Sequence, residues 1–176
     1  RVCEFLGFDF AVLWQWSGAD PTVMLPTHAY DAQNALPPAD PLRHEQFPWV
    51  VAQMMAGRTV VIRSMDEMPP EFAVDRESSR RLGLRSNLTL PLAVGGEPPV
   101  GALAFNTVQS ERDWPDAMVN RLQLVAQVFA NALAYFTDLQ SWQVVWPFNK
   151  DRAADLGSVW LMLQQATGHQ WTADTI

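Results

Sequence analysis

The sequence predicts an α+β fold, in which strands pair as antiparallel hairpins and helices cover them. Two pairs of neighbouring segments alternate between apolar and polar residues and are separated by turn-forming residues, a pattern typical of β-hairpins. A long apolar segment with helical spacing follows the second pair. The chain has 176 residues, of which 48% are hydrophobic, so it has the size and composition of one domain.

Charge and cysteine content exclude several kinds of function. The net charge of −7 is unfavourable for general binding to nucleic acid or to an anionic membrane surface. Cys3 is the only cysteine, which excludes an internal disulfide and a zinc site made of several cysteines. The sequence contains no motif of a phosphate-binding loop, a serine hydrolase or a zinc peptidase, and we predict neither catalytic nor metal-binding residues in it.

The beginning of the sequence and its apolar runs predict where the protein resides. It has neither a run of about 20 apolar residues nor a basic segment followed by an apolar run at the N-terminus. We therefore expect a cytoplasmic protein without membrane insertion by this segment. Because the chain begins at Arg1 rather than at Met, we also expect it to be part of a longer protein.

Residues 8–30 predict the first hairpin. Alternation over Phe8–Trp16 predicts a strand with its aromatic side chains on one face. The residues expected on that face are Phe8, Phe10, Val12, Trp14 and Trp16. A turn over Ser17–Pro21 leads to a second strand over Val23–Tyr30, in which Pro26 favours a position at the edge of the sheet.

The middle of the chain predicts a loop, two short helices and a short strand. Residues 31–40 contain two adjacent prolines and indicate a loop. One helix is expected over Phe47–Ala56 and a strand over Thr59–Ile62. A second helix is expected over Asp75–Leu82, with Asp75 as its N-cap. A glycine follows each helix and can end it in a left-handed conformation.

Residues 88–105 predict the second hairpin. Its strands are expected over Leu88–Val94 and Val100–Phe105, with a glycine- and proline-rich connection at Gly95–Pro99. The leucines of the first strand occupy every second position, which places them together on one face.

The long apolar helix is expected to begin at Pro115, since proline fits the first turn of a helix. Its apolar residues recur at spacings of three and four, as in a buried stripe or seam. These residues are Met118, Leu122, Val125, Phe129, Ala132, Phe136 and Leu139. Because Leu122–Thr137 contains no charged residue, the helix packs either between the sheet and another helix of its chain or also on a partner subunit. In the second case, Leu124, Val128 and Tyr135 form the seam of a homodimer.

Several of these segments resemble the GAF family of sensor domains. The sequence LGLRSNLTLPLAVGGEPPVGALAFNTVQSERDWPD, followed by the helix that ends VAQVFANALA, is similar to the C-terminal half of such domains, especially those of bacterial sensor histidine kinases. The sequence CEFLGFDFAVLWQW is similar to the end of the family's first helix and to its first strand. The resemblance covers residues 1–134, so most of the family's first helix would precede Arg1.

The resemblance implies both a fold and a function. The fold is a central antiparallel sheet of five or six strands, with the terminal helices on one face and a small-molecule pocket on the other. The function is that of a signal-sensing and dimerisation domain, which couples binding of a small molecule or partner to an output domain of a histidine kinase outside this segment. The alternatives are a dimerisation scaffold without a ligand and, disfavoured by the single cysteine, an enzyme that reduces methionine sulfoxide.

The C-terminal tail, residues 140–176, matches no element of the family. Its tryptophans are Trp142, Trp146, Trp160 and Trp171, and Pro147 interrupts a continuing helix. The tail is either a non-native extension or a segment that folds back over the pocket. The abrupt change in composition favours the first interpretation.

The candidate ligand-binding residues come from apolar side chains and from a group of arginines. The arginines are Arg76, Arg80, Arg81 and Arg85. By resemblance this region borders the pocket, where guanidinium groups can bind an anionic metabolite, although a solvated helix face is the alternative. The complete set of candidates is Trp14, His28, Trp49, Met54, Arg81, Arg85, Leu88 and Phe105. The apolar candidates can equally fill a core, and His28 alone does not support a haem. The cofactor is unknown, and the expected ligand is a small anionic or apolar metabolite.

Overall fold

A computed structural model describes residues 7–31 and 40–141 of the chain, with side chains up to residue 134. The strands are β1 (Phe10–Trp16), β2 (Val23–Asp31), β3 (Leu42–Arg43), β4 (Val60–Ile62), β5 (Ser86–Leu92) and β6 (Gly101–Thr107). The helices are α1 (Pro48–Met55), α2 (Ala73–Arg81) and α3 (Asp116–Ser141). In the described part of the chain, the strands form one six-stranded antiparallel sheet of order β3-β2-β1-β6-β5-β4, which confirms the predicted α+β fold.

Some of the predictions fall on parts of the chain that are not described. Cys3, most of the loop predicted at 31–40 and the tail from residue 142 onward lie outside the described residues. The interpretation of the tail as a non-native extension therefore stays a prediction.

The position predicted for Phe8 is wrong. Strand β1 begins at Phe10, and regular alternation from there places Val12 on one face and Leu13 on the other. Phe8 precedes the strand and lies on the face of Leu13, where its ring stacks on Trp114 with 5.5 Å between the ring centroids.

Pro26 lies where the outer side of β2 is unpaired in the described part of the chain, which confirms its predicted edge position. β3 pairs only with the first two residues of β2, whereas β1 pairs with β2 along nearly the whole length of β2. The register with β1 shifts between Leu13 and Trp14, where Thr27 is the additional residue of β2.

One face of the sheet packs against α3. Leu122, Ala126 and Ala130 of the helix are buried on it. Leu122 belongs to the predicted apolar stripe, whereas the stripe residues Val125 and Phe129 are only partly buried against the same core. Trp114 precedes the helix and donates a hydrogen bond of 3.1 Å from Nε1 to the carbonyl oxygen of Ile62, which joins this end of α3 to β4. None of the described helices combines the length and the apolar character that crossing a membrane requires.

The other face packs against α1 and α2. Its buried apolar residues are Val12, Trp14, Met24, Val51, Met54, Val60, Ile62, Met65, Met68, Leu84, Ala102 and Ala104. The long C-terminal helix and the middle helices thus lie on opposite faces of the sheet, as the GAF resemblance implies.

Asp75 caps α1 rather than its own helix, so the predicted role of this residue is wrong. α2 begins at Ala73, and the buried Asp75 carboxylate accepts hydrogen bonds from the backbone N–H groups of Trp49 (3.2 Å) and Val50 (2.9 Å). These N–H groups belong to the first turn of α1 and have no acceptor within that helix. Burial raises the pKa of Asp75, and the two hydrogen bonds oppose this shift.

Strands β1 and β6 approach closely at Gly101. This residue is the first of β6 and pairs with Gln15 of β1. A Cβ atom on Gly101 would lie 2.0 Å from the carbonyl oxygen of Trp14, which is far inside contact distance. Only glycine therefore fits this position without separating the two central strands.

Arg112 links the start of the described chain to the segment before α3. Its Nη1 donates a hydrogen bond of 2.7 Å to the carbonyl oxygen of Gly7, and its backbone N–H donates to the Ser86 hydroxyl at 2.7 Å. The guanidinium carbon lies 4.9 Å from the ring centroid of Phe8 and 5.8 Å from that of Trp114. These distances are typical of cation–π contacts, so hydrogen bonds and ring contacts hold the two segments together.

Candidate ligand-binding site

A cavity lies between the sheet and helices α1 and α2. Its floor is centred on β6, where Ala102, Ala104 and Asn106 share one face because side chains alternate along a strand. The two alanines leave space that larger side chains would fill. Trp14 of the neighbouring β1 pairs with Ala102 and also lines the cavity.

The middle helices form the roof of this cavity. Val51 and Met54 of α1 and Ser79 of α2 line it, and Leu84 lies beside them after α2. The lining is mostly apolar, and the cavity has a volume of about 100 Å³. A single water requires roughly 10–15 Å³ of such space, so the cavity can hold a group larger than one water.

Three buried polar side chains form a chain of hydrogen bonds in the floor. Thr89 donates from Oγ1 to Oδ1 of Asn87 at 2.8 Å, and Asn87 donates from Nδ2 to Oδ1 of Asn106 at 2.8 Å. Asn87 and Asn106 are direct partners across β5 and β6, which brings their amides together. Their exposed fractions are 8% for Asn87, 5% for Thr89 and 4% for Asn106. The chain of donors ends at Asn106, whose amide nitrogen takes part in neither bond.

Charge is confined to the rim of this cavity. Among the described residues that line it, Arg43 alone is ionisable. Its side chain is 63% exposed and lies 3.9 Å from the carboxylate of Asp20. Hydrogen bonds from the hydroxyl and backbone N–H of Thr22, followed by the charge of Arg43, hold the pKa of Asp20 below its usual value. The one cation among the described lining residues is therefore both solvated and paired with an anion.

Two of the predicted ligand-binding residues, Trp14 and Met54, line the cavity. Trp49 lies beside the cavity in the same apolar cluster and stacks on Phe72, with 4.2 Å between the ring centroids. The structure therefore brings these three residues to the same side of the sheet. Their contact with a ligand stays a prediction.

The predicted placement of Leu88 and Phe105 at the pocket is wrong. Their exposed fractions are 0% and 4%, and both belong to the core under α3, on the opposite face of the sheet. Strand alternation gives the reason: the neighbouring Asn87 and Asn106 face the cavity, so Leu88 and Phe105 face away from it.

His28 and Arg81 also lie away from the cavity, contrary to the prediction. His28 is exposed and pairs with Leu13, whose side chain faces α3. Arg81 is exposed and forms an ion pair of 3.1 Å with Glu77 one turn earlier, as in the alternative of a solvated helix face. Within the described ranges, no three His, Cys, Asp or Glu side chains are grouped so as to hold a metal ion.

Arg85 borders a second cavity, of about 470 Å³, rather than the apolar one. Arg80, Asp66 and Glu111 line it too, so its charged side chains include both signs. The ion pair between Arg80 and Asp66, with a weaker effect of Arg85, holds the pKa of Asp66 below its usual value. Leu84 lines both cavities. The arginine side chains therefore do not create a cationic wall in the apolar cavity.

The predicted dimer seam is partly described. Leu124 is 70% exposed and Val128 is half-buried, and both lie on α3. Tyr135 also belongs to α3, but its side chain lies outside the described ones.

Sequence reasoning missed Asn87, Thr89 and Asn106. The sequence held a signal for two of them, because Asn87 and Thr89 alternate with the leucines of a strand whose opposite face is buried. A polar residue on the second buried face of such a strand is unfavourable unless it forms hydrogen bonds, which marks it as a candidate site residue.

The sequence matches a known family over most of its length. A family model described as the GAF domain matches residues 1–133. The chain belongs to the GAF family. GAF domains are in general non-catalytic, signal-sensing parts of signalling proteins. A comparison with curated proteins finds no match to this GAF domain.

Several solved structures share the fold at low sequence identity. The GAF domain region of a membrane protein from Geobacter sulfurreducens PCA is 18% identical, with a TM-score of 0.62 over 76% of this chain and 86% of that one. The blue-light absorbing form of the PixJ GAF domain from Thermosynechococcus elongatus is 17% identical, with a TM-score of 0.62 over 79% and 82% of the two chains. Residues 122 to 287 of a methyl-accepting chemotaxis protein are 20% identical, with a TM-score of 0.63 over 78% and 85%.

Proposed function

We propose that this GAF domain senses a small molecule in the cavity between the sheet and helices α1 and α2. The observation that carries the proposal is the presence of the buried polar residues Asn87, Thr89 and Asn106 in the floor of an apolar cavity. Burial of a polar group without its full set of hydrogen bonds is unfavourable. A few polar groups within an apolar lining are typical of ligand sites, where they orient the bound molecule.

The sheet provides a short route from the cavity to α3. In β5, Asn87 lines the cavity while the adjacent Leu88 packs under α3. In β6, Asn106 lines the cavity while the adjacent Phe105 packs under α3. A ligand that binds one arrangement of these strands more tightly shifts the population toward it. In our proposal the resulting change in the placement of α3 is passed to an output domain outside this segment.

We further infer that two copies of the chain associate through α3. Leu124 and Val128 are one helical turn apart and both retain exposed surface. The absence of charge in Leu122–Thr137 favours packing of this stripe against a second apolar helix, with Tyr135 extending the seam. A cytoplasmic sensor histidine kinase is the parent protein that the sequence resemblance supports.

A thermal-shift screen of small molecules tests the ligand proposal. A molecule that binds the folded protein raises Tm by mass action. Ala104→Leu fills the centre of the cavity floor, and we expect molecules that raise the Tm of the wild type to have no effect on this variant. Ala52→Leu, at an exposed position of α1, is the matched control and should retain the shift. If Ala104→Leu does not fold, Ala102→Val provides a smaller obstruction. Equal shifts for the wild type and a folded cavity variant would place the ligand elsewhere.

A dimerisation scaffold without a ligand is the second candidate function. The modest cavity volume of about 100 Å³ favours it. This alternative predicts a dimer whose Tm no molecule in the screen raises. It also predicts that Ala104→Leu leaves dimerisation unchanged, because the alanine lies on the face of the sheet opposite α3.

A further inference from the structure

We infer that the ligand of the apolar cavity is a small uncharged molecule, with an apolar body and a hydrogen-bond acceptor that binds the Asn106 amide group. A carbonyl oxygen is such an acceptor. This inference rests on the proposed function of the cavity, and three properties of the lining support it: the absence of buried charge among its described residues, the direction of its hydrogen bonds, and its size.

The absence of buried charge among the described lining residues disfavours an ionised ligand. Moving an ion out of water is unfavourable unless a counter-charge accompanies it. Arg43 alone among the described lining residues is ionisable, and it lies at the exposed rim beside Asp20. Arg81 and Arg85, which the sequence suggests for an anion, lie outside this cavity. Among the described residues, the interior of the cavity therefore offers no charged side chain as a counter-ion for a carboxylate, a phosphate or an ammonium group.

The direction of the hydrogen bonds favours an acceptor on the ligand. Thr89 donates to Asn87, and Asn87 donates to the carbonyl oxygen of Asn106. The bond from Asn87 uses one of the two lone pairs of the Asn106 amide oxygen, whereas both N–H donors of the Asn106 amide lie outside these bonds. Asn106 lines the cavity, so a ligand acceptor placed there completes the chain.

The size and composition of the cavity define the rest of the molecule. Most of the lining is apolar, including Trp14, Met54 and Ile62, and the volume is about 100 Å³. A compact apolar body with one acceptor matches this space. A large cofactor with several ionised groups does not.

Isothermal titration calorimetry with three probes of similar size tests the inference. Acetophenone has a benzene ring and a carbonyl acceptor, ethylbenzene has the ring without an acceptor, and benzoate has the ring with a charge. We expect the wild type to bind acetophenone about fivefold to tenfold more tightly than ethylbenzene, which is the effect of one net hydrogen bond. Benzoate should bind more weakly than either.

Two substitutions at Asn106 remove the donors in different ways. Asn106→Leu replaces the amide with an apolar group of similar size, whereas Asn106→Asp retains an acceptor for the Asn87 amide. Both variants should lose the preference for acetophenone over ethylbenzene. Because the readout is a ratio of affinities on one protein, a uniform change in cavity volume does not imitate the result. Gln109→Leu removes an exposed amide nearby and should retain the preference.

The outcomes distinguish this inference from the proposed function. Tighter binding of benzoate than of acetophenone overturns the inference, as does a preference for acetophenone that survives in both Asn106 variants. If none of the three probes binds while other molecules bind in a manner blocked by Ala104→Leu, the ligand class is wrong and the sensing function stands. If no molecule shows binding that this cavity variant blocks, the proposed function fails as well.

Discussion

The carboxylate of Asp75 accepts a hydrogen bond of 2.9 Å from the backbone N–H of Val50, which lies 25 residues earlier in the chain. A second bond, from the N–H of Trp49, goes to the other carboxylate oxygen at 3.2 Å. One side chain of α2 therefore caps α1, and the two helices that roof the cavity are joined through it. The geometry of the roof depends on this contact.

We expect Asp75→Ala to lower the free energy of unfolding by about 1–3 kcal/mol, since the substitution leaves two backbone N–H groups of α1 without their acceptor. Urea denaturation measures this effect. Glu77→Ala, at an exposed position on the same helix, is the control and should change stability by no more than about 0.5 kcal/mol. Equal stabilities of the two variants would show that the cap contributes nothing.

The raised pKa of Asp75 predicts that the stability of the folded protein depends on pH. Burial raises the pKa of Asp75 in the folded protein above its ordinary value of 3.8, so the folded state binds a proton at a higher pH than the unfolded state. As pH falls through the raised folded pKa toward 3.8, the wild type should therefore gain stability relative to Asp75→Asn, and as pH rises this gain should disappear. Thermal unfolding of both proteins from neutral to acid pH measures the difference in Tm. A difference that is constant with pH contradicts the raised pKa.

The proposed dimer predicts that charged substitutions on the exposed side of α3 prevent association of two chains. Leu124→Glu and Val128→Glu place a charge in the proposed seam, where burial against a second helix is unfavourable, and should give monomers in analytical ultracentrifugation. Val74→Glu is a matched control, because Val74 is 51% exposed on α2 and lies away from the seam. Circular dichroism should show that all three variants retain the fold. A monomeric wild type, or dimers of unchanged stability in both seam variants, would contradict the proposed association through α3.

We predict that the addition of a single methyl group at Gly101 strongly lowers the free energy of unfolding. In Gly101→Ala the new Cβ would collide with the backbone of Trp14, which cannot move without disturbing the pairing of β1 and β6. We expect a loss of about 3 kcal/mol in unfolding free energy, at the upper end of the usual range for overpacking. Gly18→Ala is the control, since a Cβ there has no neighbour within 4 Å. A small effect at Gly101 would show that the two strands can separate easily.

The strands and helices of this domain are predictable because their signals are local. Alternation in β1 indicates which side chains share a face of the sheet, and the apolar spacing in α3 indicates the side of the helix that packs on it. β3 was not predictable, because Leu42 and Arg43 are too few residues to carry a pattern. The cap at Asp75 was assigned to the wrong helix, because a local rule cannot anticipate an acceptor that acts across 25 residues.

The site was harder to predict than the fold for a related reason. The leucines of β5 mark a buried face, and sequence alone does not say whether that face meets α3 or the cavity. The predicted lining residues Trp14 and Met54 do line the cavity, whereas Leu88 and Phe105 lie on the opposite face of β5 and β6, two strands that are buried on both faces. The residues that form the hydrogen-bonded floor are their neighbours Asn87 and Asn106.

The contact of Arg112 with Gly7 has a mechanical consequence for a protein that contains this domain. The guanidinium group contacts both the polypeptide that leads into β1, at Gly7 and Phe8, and the sulfur of Met118 in the first turn of α3. A displacement of the chain before Gly7 would therefore act on the start of α3 through the contacts of Arg112. Because this contact does not involve the cavity, it joins the N-terminal side of the domain to the long helix independently of a ligand.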